Sequence, residues 1–361
     1  MKKLRLGIIG TGIIARAHMA GILEARQSEL AAVCDIKPEQ AERFLNHFGL
    51  NGVKVYQNYE DMLTPGTVDA VIVSTPTVSH AEIAIQAAKA GIHVLCEKTM
   101  AMNAAEARKM ADQVKGKKLV HTIGFAFRYI PAVEYIKDLI EAGKFGKIRH
   151  FRGRFYANRL APADHVMEWR HRMREAGSGV IGDLASHTFD MFHYLARGQM
   201  GDIVKLAAHG DIIIPERVNE NGEREKVTTD ETLLVWMKTA NQGEVTLESS
   251  RYSPFEFEFH ITGSKASLKY CNYKYDTVEY LEYEREGLYA QNNAQEYSPI
   301  PVPERYYPNH IKDRFIRQYL AFEQAILGQG TVKTDFETGY DNQVFMDLIQ
   351  KSYQEEKTIS I

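Results

Sequence analysis

The sequence predicts an α/β domain built on a parallel sheet, followed by an α+β domain with a large, mostly antiparallel open sheet. In the first third of the chain, short apolar runs alternate with helical stretches, the pattern of parallel strands covered by helices on both faces. From 202 to 283, polar and apolar side chains alternate with period two, as in antiparallel strands. We therefore place one domain at 1–125 and the second at 126–361, and we allow for the C-terminal helices packing back on the first domain.

The individual elements follow from the same patterns. Strands are predicted at 4–10, 30–36, 68–74, 92–98 and 119–125, and helices at 13–26, 38–47, 79–90 and 104–115. The second domain begins with a helix at 131–142, a half-polar strand at 147–156, an irregular segment at 157–182 and a helix at 183–196. After the antiparallel region we predict a long loop at 284–310 and helices at 312–327 and 339–356.

Composition limits the possible partners and the compartment. The chain has 361 residues and a formal net charge of −3, which gives no reason to expect nucleic acid or an anionic membrane as a partner. No apolar run reaches the roughly 18 residues of a membrane span, and the N-terminal stretch is typical of a first strand rather than of a signal peptide. Three scattered cysteines argue against a disulfide framework or a zinc ribbon and indicate a reducing cytoplasm.

A glycine-rich turn is the first candidate site. The first predicted strand runs into "GIIGTGIIARAH", where Gly10 allows a tight turn, Gly12 allows a pyrophosphate to approach the backbone, and Ala15 allows close helix packing. The N-terminus of the following helix supplies amide donors and a positive dipole, and Ile13 and Ile14 are further candidate contacts. Such a motif also occurs in other doubly wound domains, but its position after the first strand predicts a dinucleotide site.

An acid at the end of the next strand favours NAD over NADP. Asp35 is placed to bond the ribose hydroxyls of the cofactor, and its carboxylate would repel a 2′-phosphate. The residue that follows is Ile36, not an arginine or serine that would favour the phosphate. We therefore expect NAD as the cofactor.

Polar residues follow two more predicted strands, at the edge of the sheet where doubly wound domains bind ligands. Thr75 and Pro76 are expected to shape the loop beside the cofactor, and His80 is either a contact or an exposed residue of the first helical turn. Glu97 and Lys98 are neighbours in a strand, so they point to opposite faces and are poorly placed to pair with each other. A lysine at the mouth of a cofactor cleft can hold a substrate hydroxyl and transfer a proton.

Asp183, His187 and Asp190 form a second polar cluster, on one face of a predicted helix. An acid and a histidine one turn apart suit a base with an orienting carboxylate. A metal site and a buried structural hydrogen bond are the alternatives. The glycines in front of the cluster, Gly177, Gly179 and Gly182, suggest close backbone approach either to a ligand or to another domain.

Five stretches in this order resemble one family over essentially the whole chain. The stretches "GIIGTGIIARAH", "STPTVSH", "CEK", "WR" (Trp169 and Arg170) and "GSGVIGDLASHTFD" are similar to the Gfo/Idh/MocA oxidoreductases. The resemblance implies that Lys98, Asp183 and His187 form the catalytic group. It further implies that Glu97, Trp169 and Arg170 lie near the cofactor.

The same resemblance implies an activity and an assembly. The expected enzyme is a soluble NAD-dependent dehydrogenase that oxidises a secondary alcohol of a sugar, cyclitol or sugar acid. An epimerase, lyase or glycosidase that uses NAD as a shuttle and a non-catalytic NAD-sensing regulator stay open as alternatives. The C-terminal sheet of the family often mediates dimers or tetramers, so we expect a homodimer or homotetramer.

Two residues depart from the family pattern. Thr99 stands where the family has a proline after the lysine, and that Lys–Pro bond is often cis. Because a cis bond before a residue other than proline is costly, either this bond is trans or the cost is tolerated. The second departure, Ala185 in place of a glycine two residues before His187, is small.

Substrate contacts are expected in 156–177 and after the strand 119–125. His165 and Arg170 are candidates, and the basic run "RHRMR" would attract an anionic substrate such as a uronate or sugar phosphate. The alternative is a solvated loop whose basic side chains have partners elsewhere. Arg128 either lines the cleft beside cofactor and substrate or pairs with an acid between the domains.

Overall fold

The computed structural model describes residues 3–283 and 296–361. The chain divides into two compact units. The first contains Met1–Tyr129, Arg174–Gly177 and Asp313–Val344, and the second contains Ile130–Met173, Ser178–Lys312 and Phe345–Ile361. A segment close to the C-terminus is thus part of the first unit. The domain division at residue 125 stays a prediction.

The first unit is built on a parallel sheet. Its strands are β1 (Leu4–Ile9), β2 (Ser28–Cys34), β3 (Lys54–Tyr56), β4 (Ala70–Val73), β5 (His93–Cys96) and β6 (His121–Ile123). Their order is β3-β2-β1-β4-β5-β6, and every pairing is parallel. The order reverses between β1 and β4, which is where doubly wound sheets bind ligands. The sequence prediction omitted β3, which is only three residues long and not fully buried.

Helices connect the strands of the first unit. They are α1 (Ile13–Glu24), α2 (Pro38–His47), α3 (Tyr59–Met62), α4 (His80–Lys89) and α5 (Ala104–Val114). Apolar cores lie on both faces of the sheet because neighbouring strand residues point to opposite faces. Val94 packs in one core with α4 and α5, while Leu95 packs in the other with Phe322 from near the C-terminus.

The remaining helices follow in chain order. They are α6 (Pro131–Glu141), α7 (Met173–Ala176), α8 (Ser186–Leu195), α9 (Arg197–Met200), α10 (Arg314–Ile326) and α11 (Phe336–Glu355). Helix α10 belongs to the first unit, where it packs against α1. No helix in the described part of the chain is both long and apolar enough to cross a membrane.

The second unit is built on a nine-stranded sheet. Its strands are β7 (Ile148–Tyr156), β8 (Ile203–Asp211), β11 (Thr232–Thr239), β12 (Glu244–Ser250), β13 (Glu256–Gly263), β14 (Ala266–Cys271), β15 (Thr277–Glu282), β16 (Ser298–Pro301) and β17 (Ile359–Ser360). The pairing of β7 with β12 is parallel, and the other pairings are antiparallel. A separate hairpin, β9 (Glu216–Val218) and β10 (Arg224–Lys226), flanks an Asn-Gly turn at Asn221 and Gly222.

One face of the large sheet is buried beneath α8. Along β11 to β13 every second residue is buried, as period-two alternation predicts. Phe151 on β7 meets Phe192 on α8 edge to face, with ring centroids 5.8 Å apart. The predicted α+β architecture is therefore confirmed.

Two predicted segments differ from the structure. The predicted loop at 284–310 includes β16, which pairs with β15, whereas 284–295 lie outside the described residues. The predicted helix at 183–196 begins instead with a π-helical turn, Ile181–Ala185, that leads into α8. Turns of this kind are frequent at functional sites.

Candidate active site

The glycine turn leaves room for a phosphate group at the start of α1. Gly10 has a φ of +86°, and a Cβ atom there would lie 2.8 Å from the carbonyl oxygen of Ser74. A Cβ atom at Gly12 would meet no heavy atom within 4 Å, so the space beside it is open. No side chain caps the helix at Gly12, and its first turn carries no acid. The turn therefore fits the pyrophosphate of a dinucleotide.

Asp35 is tied directly to this turn. It is buried, and its Oδ2 accepts hydrogen bonds from the backbone nitrogen of Thr11 at 2.9 Å and from the Thr11 hydroxyl at 2.7 Å. The backbone nitrogen of Lys37 donates to Oδ1 at 3.0 Å. The nearby Ile13 and Ile36 are 73% and 78% exposed, so apolar surface lies next to the carboxylate. This combination suits the adenosine ribose and its base.

His80 connects two of the predicted loops. Its Nδ1 lies 2.8 Å from the carbonyl oxygen of Thr99, and its Nε2 lies 2.9 Å from that of Thr75. The side chain is 1% exposed, so the alternative of an exposed residue is wrong. Burial lowers the pKa of His80. A neutral ring donates to one of the two carbonyl oxygens and lies against the other, so it is packed between the loop with Thr75 and Pro76 and the turn that carries Lys98.

Glu97 and Lys98 follow β5 and differ in their surroundings. Glu97 is 5% exposed, and its Oε1 lies 2.7 Å from Nε2 of His18, a residue that sequence reasoning missed. Its Oε2 accepts a hydrogen bond from the backbone nitrogen of Lys98 at 3.2 Å. Lys98 is half-buried, and the peptide bond between Lys98 and Thr99 is cis. Of the two alternatives for this bond, the structure has the cis form.

Arg128 also belongs to the first unit. It is 6% exposed, and its Nη1 donates to the carbonyl oxygen of Lys333 at 2.9 Å. One of its guanidinium nitrogens is thus engaged by the backbone. Its predicted roles toward cofactor and substrate stay predictions.

Asp183 lies in the second unit, between two arginines. It sits in the π-helical turn, 3.6 Å from Nε of Arg170 and 3.9 Å from Nη2 of Arg251. Arg251 is 1% exposed and donates to the carbonyl oxygen of Arg170 at 3.2 Å. Burial lowers the pKa of Arg251. Both guanidinium groups attract the Asp183 carboxylate, Arg170 from the 157–172 segment and Arg251 from the residue after β12.

Asp230 caps the start of the same turn. Its carboxylate accepts hydrogen bonds from the backbone nitrogens of Gly179 at 2.7 Å and Ile181 at 2.8 Å. A Cβ atom at Gly179 would lie 1.8 Å from the carbonyl oxygen of Asp230, so only glycine fits. At Gly179 the close approach is thus to another part of the same unit rather than to a ligand or another domain, and Asp230 itself was missed.

His187 is the second residue of α8 and is buried, as is Ser186 before it. It is 9% exposed, and its ring centroid lies 5.6 Å from that of Phe155 on β7. Asp190, one turn later, is 1% exposed. The expectation that all three residues share one α-helical face is wrong for Asp183, because it precedes the α-helix in a π-helical turn, where hydrogen bonds run from residue i to i+5. Among the described residues no group of three or more His, Cys, Asp or Glu side chains could hold a metal ion.

The basic side chains of the segment before Asp183 have acidic neighbours. Glu168 accepts two hydrogen bonds from Arg159, at 2.6 and 2.9 Å, and lies 3.0 Å from Nε2 of His165. Burial alone would raise the pKa of Glu168, but these contacts outweigh it and lower the pKa to about 2. Arg172 donates twice to Glu225, at 2.8 Å each. These pairings favour the expected alternative of a loop with its own partners.

Arg170 stands out within that segment because it stacks on its neighbour. Its guanidinium carbon lies 4.3 Å from the ring centroid of Trp169. Glu168 is 3.7 Å from Nη1 of the same guanidinium. Arg170 therefore forms ion pairs with both Glu168 and Asp183, and its guanidinium makes a cation–π contact with Trp169.

Comparison with known proteins places the chain in a family. The family's model described as "Oxidoreductase family, NAD-binding Rossmann fold" matches residues 4–125, and "Oxidoreductase family, C-terminal alpha/beta domain" matches residues 137–361. Levoglucosan dehydrogenase of Pseudarthrobacter phenanthrenivorans is 27% identical over 399 residues, covering 100% of this chain and 99% of that protein. Glucose-6-phosphate 3-dehydrogenase of Bacillus subtilis is 31% identical over 274 residues, covering 75% of this chain and 74% of that protein.

Solved structures agree with the sequence matches. The structure of levoglucosan dehydrogenase in complex with NADH and levoglucosan has a TM-score of 0.89 at 26% identity, covering 100% of this chain and 99% of the other. Its complex with NADH and L-sorbose also has a TM-score of 0.89. The predicted fold and cofactor are confirmed. The chain belongs to the Gfo/Idh/MocA family of oxidoreductases and carries its NAD-binding Rossmann domain.

Proposed function

We propose that this protein transfers a hydride between a secondary alcohol of a sugar, inositol or related polyol and NAD. One observation carries the proposal: the cofactor turn at Gly10 and Lys98 follow strands of one sheet, β1 and β5, with only β4 between them. Parallel strands end at the same edge, so a lysine after β5 suits a substrate held beside the cofactor. Bound NAD supplies the hydride acceptor.

Lys98 has the role of holding the substrate oxygen. Its ammonium group would donate a hydrogen bond to the hydroxyl and stabilise the negative charge that develops as the proton leaves. His187 takes that proton if Lys98 is an ammonium, and Lys98 takes it if its amine is neutral; Asp183 orients the catalytic group. This role is supported by Arg170 and Arg251, whose guanidinium groups lie 3.6 and 3.9 Å from the Asp183 carboxylate and attract it.

The substrate in this proposal is an uncharged polyol. A uronate or sugar phosphate is usually held by a guanidinium that donates two parallel N–H hydrogen bonds to its oxygens. Arg159 instead donates two hydrogen bonds to Glu168, and Arg172 donates two to Glu225, all within the same unit. Their pairing supports hydroxyl recognition rather than recognition of an anion.

The relatives are consistent with this choice of substrate class. Levoglucosan dehydrogenase matches along its whole length and is named for an uncharged sugar. Glucose-6-phosphate 3-dehydrogenase, named for a phosphorylated sugar, matches over three quarters of its length. We therefore rank anhydro sugars, aldoses and inositols ahead of charged sugars.

A substrate panel tests the proposal. NADH formation is followed with levoglucosan, aldoses, inositols, glycosides, uronates and sugar phosphates, with NADP in parallel. We expect NADH with one or more uncharged polyols. Turnover of uronates or phosphates alone would contradict the substrate class. Product without net NADH would replace the dehydrogenase by a cofactor-shuttling enzyme, and NADH binding without any turnover would indicate a regulator.

Two expectations about the cell and the assembly stay predictions. We expect a homodimer or homotetramer formed through the nine-stranded sheet, and a cytoplasmic location. The face of that sheet opposite α8 carries paired charges, including Arg154, 2.5 Å from Glu258, and His260, 2.8 Å from the same carboxylate. Light scattering coupled to gel filtration measures the oligomeric state directly.

A further inference from the structure

His18 is a buried polar residue that the proposed mechanism does not use. It lies on the inner face of α1, is 0% exposed, and meets Phe315 of α10 edge to face at 5.6 Å. Its Nε2 is 2.7 Å from Oε1 of Glu97, whereas Nδ1 has no hydrogen-bond partner among the described residues. The polar contact of the ring is thus directed at one carboxylate.

The carboxylate of Glu97 has little room to move. A Cβ atom at Gly124 would lie 2.7 Å from Oε1 and 3.0 Å from Oε2, so Gly124 packs closely against both carboxylate oxygens. Oε2 accepts a hydrogen bond from the backbone nitrogen of Lys98 at 3.2 Å. One oxygen is therefore held by α1, and the other holds the backbone of the proposed catalytic lysine.

The surrounding backbone fixes the same geometry. The nitrogen of Glu97 donates to the carbonyl oxygen of Val73 at 2.9 Å, and the nitrogen of Gly124 donates to that of Cys96 at 2.8 Å. These bonds extend the sheet to the residues that surround the carboxylate. A buried polar group that loses its partner is costly, so the contact between His18 and Glu97 resists displacement.

We propose that His18 is a positioning residue that fixes Lys98, through Glu97, relative to the helix that binds the cofactor. The path runs from α1 through the imidazole and the carboxylate to the backbone of residue 98. The inference rests on the proposed function, because it takes Lys98 as the group that holds the substrate. A pair with a structural role alone would change stability without changing turnover.

Two substitutions at position 18 separate these roles. His18→Leu removes the hydrogen bond to Glu97 and keeps an apolar side chain against Phe315. His18→Gln keeps an N–H donor for the carboxylate. Since a small misplacement of a catalytic group can cost about 100-fold in rate, we expect kcat to fall roughly 10- to 100-fold in His18→Leu and to recover largely in His18→Gln. The Kd for NADH, from fluorescence titration, is expected to stay at the wild-type value.

A third variant displaces the same carboxylate through its contact with Gly124 instead of its contact with His18. Gly124→Ala places a methyl group against both oxygens of Glu97, so we expect the same loss of kcat with NADH binding retained. His47→Leu changes an exposed histidine at the end of α2 and is the matched control, with wild-type kcat expected. If His18→Leu does not fold, Gly124→Ala and His18→Gln still test the inference.

The outcomes separate this inference from the proposed function. Wild-type kcat in both His18→Leu and Gly124→Ala would overturn it, as would a loss of kcat matched by an equal loss of NADH affinity. Lys98→Met, measured beside them, reports on the proposed function. An inactive Lys98→Met with fully active His18→Leu would reject the positioning role alone. A fully active Lys98→Met would reject the role of Lys98 on which the inference rests, whereas a wild-type protein that turns over no polyol of the panel would reject the proposed function.

Discussion

The carboxylate of Asp230 lies 2.7 Å from the backbone nitrogen of Gly179, at the start of the turn that carries Asp183. Its second oxygen accepts from Ile181 at 2.8 Å, and the side chain is buried. Burial raises the pKa of Asp230, and the two amide hydrogen bonds oppose that effect. A single acid just before β11 thus caps the start of the π-helical turn.

Asp230→Asn should therefore weaken both the fold and the site. The amide has one acceptor oxygen, so one of the two buried N–H groups loses its partner, at a cost of about 1–3 kcal/mol in the free energy of unfolding. We also expect a lower kcat, because the turn that positions Asp183 loses one of the two hydrogen bonds that cap it. Urea denaturation and steady-state kinetics measure the two effects. Asp164→Asn, at an exposed acid of the same unit, is the control, and equal urea midpoints for both variants would contradict the prediction.

Asp35→Asn should shift cofactor preference toward NADP. The amide can still accept from Thr11, but it no longer repels a 2′-phosphate. We expect the ratio of kcat/KM for NAD to that for NADP to fall about tenfold or more, equivalent to about 1.4 kcal/mol. Glu39→Gln removes an exposed charge at the start of α2 and should leave the ratio unchanged. A ratio that moves equally in both variants would mean that general electrostatics, not the position of Asp35, sets the preference.

Stability should fall on mild acidification because of His171. Burial, followed by the charges of Arg251 and Arg217, lowers the pKa of His171 from 6.5 to about 4. The backbone nitrogen of Glu168 donates to its Nδ1 at 3.0 Å, a bond that a proton on Nδ1 would break.

The sign of the pH dependence follows from this lowered pKa. The unfolded chain binds the proton first, so the stabilisation is complete above pH 6.5 and is lost as the pH falls toward 4, by about 3 kcal/mol. His171→Gln should flatten the stability curve in that window, whereas His209→Gln, at an exposed histidine, should not. Thermal unfolding across the window measures this, and parallel curves for His171→Gln and wild type would rule out the assignment.

The uncharged-substrate proposal predicts a weak salt dependence. An anionic substrate drawn in by unpaired arginines would lose kcat/KM steeply as the ionic strength rises, because salt screens long-range attraction. For an uncharged polyol we expect kcat/KM to change less than about twofold between low and physiological salt. The assay uses the best substrate from the panel. A decline of tenfold or more would argue for an anionic substrate.

Much of the first unit could be predicted because its signals are local. Buried parallel strands are continuous apolar runs, so their ends, and with them Gly10, Asp35 and Lys98, could be assigned without any long-range information. The short strand β3 was missed, since three partly exposed residues carry no periodic signal.

The supporting residues could not be predicted because their partners are distant in the chain. His18 shares the buried face of α1 with Ala15 and Ile22. A histidine at this spacing among apolar residues was the one local indication that it has a polar partner. Nothing in the local pattern connects it with Glu97. Asp230 lies just before β11, and its role depends on a hydrogen bond from the backbone nitrogen of Gly179, which is 51 residues earlier in the chain.

The central claim is that Lys98 holds the reacting oxygen in an NAD-dependent dehydrogenase. Its most direct test is the Lys98→Met variant, assayed for kcat with the best polyol and for NADH affinity by fluorescence titration. Because the methionine keeps the length of the side chain and removes the ammonium group, we expect unchanged NADH affinity and a fall in kcat of about 100-fold or more. Full turnover in Lys98→Met would contradict the claim.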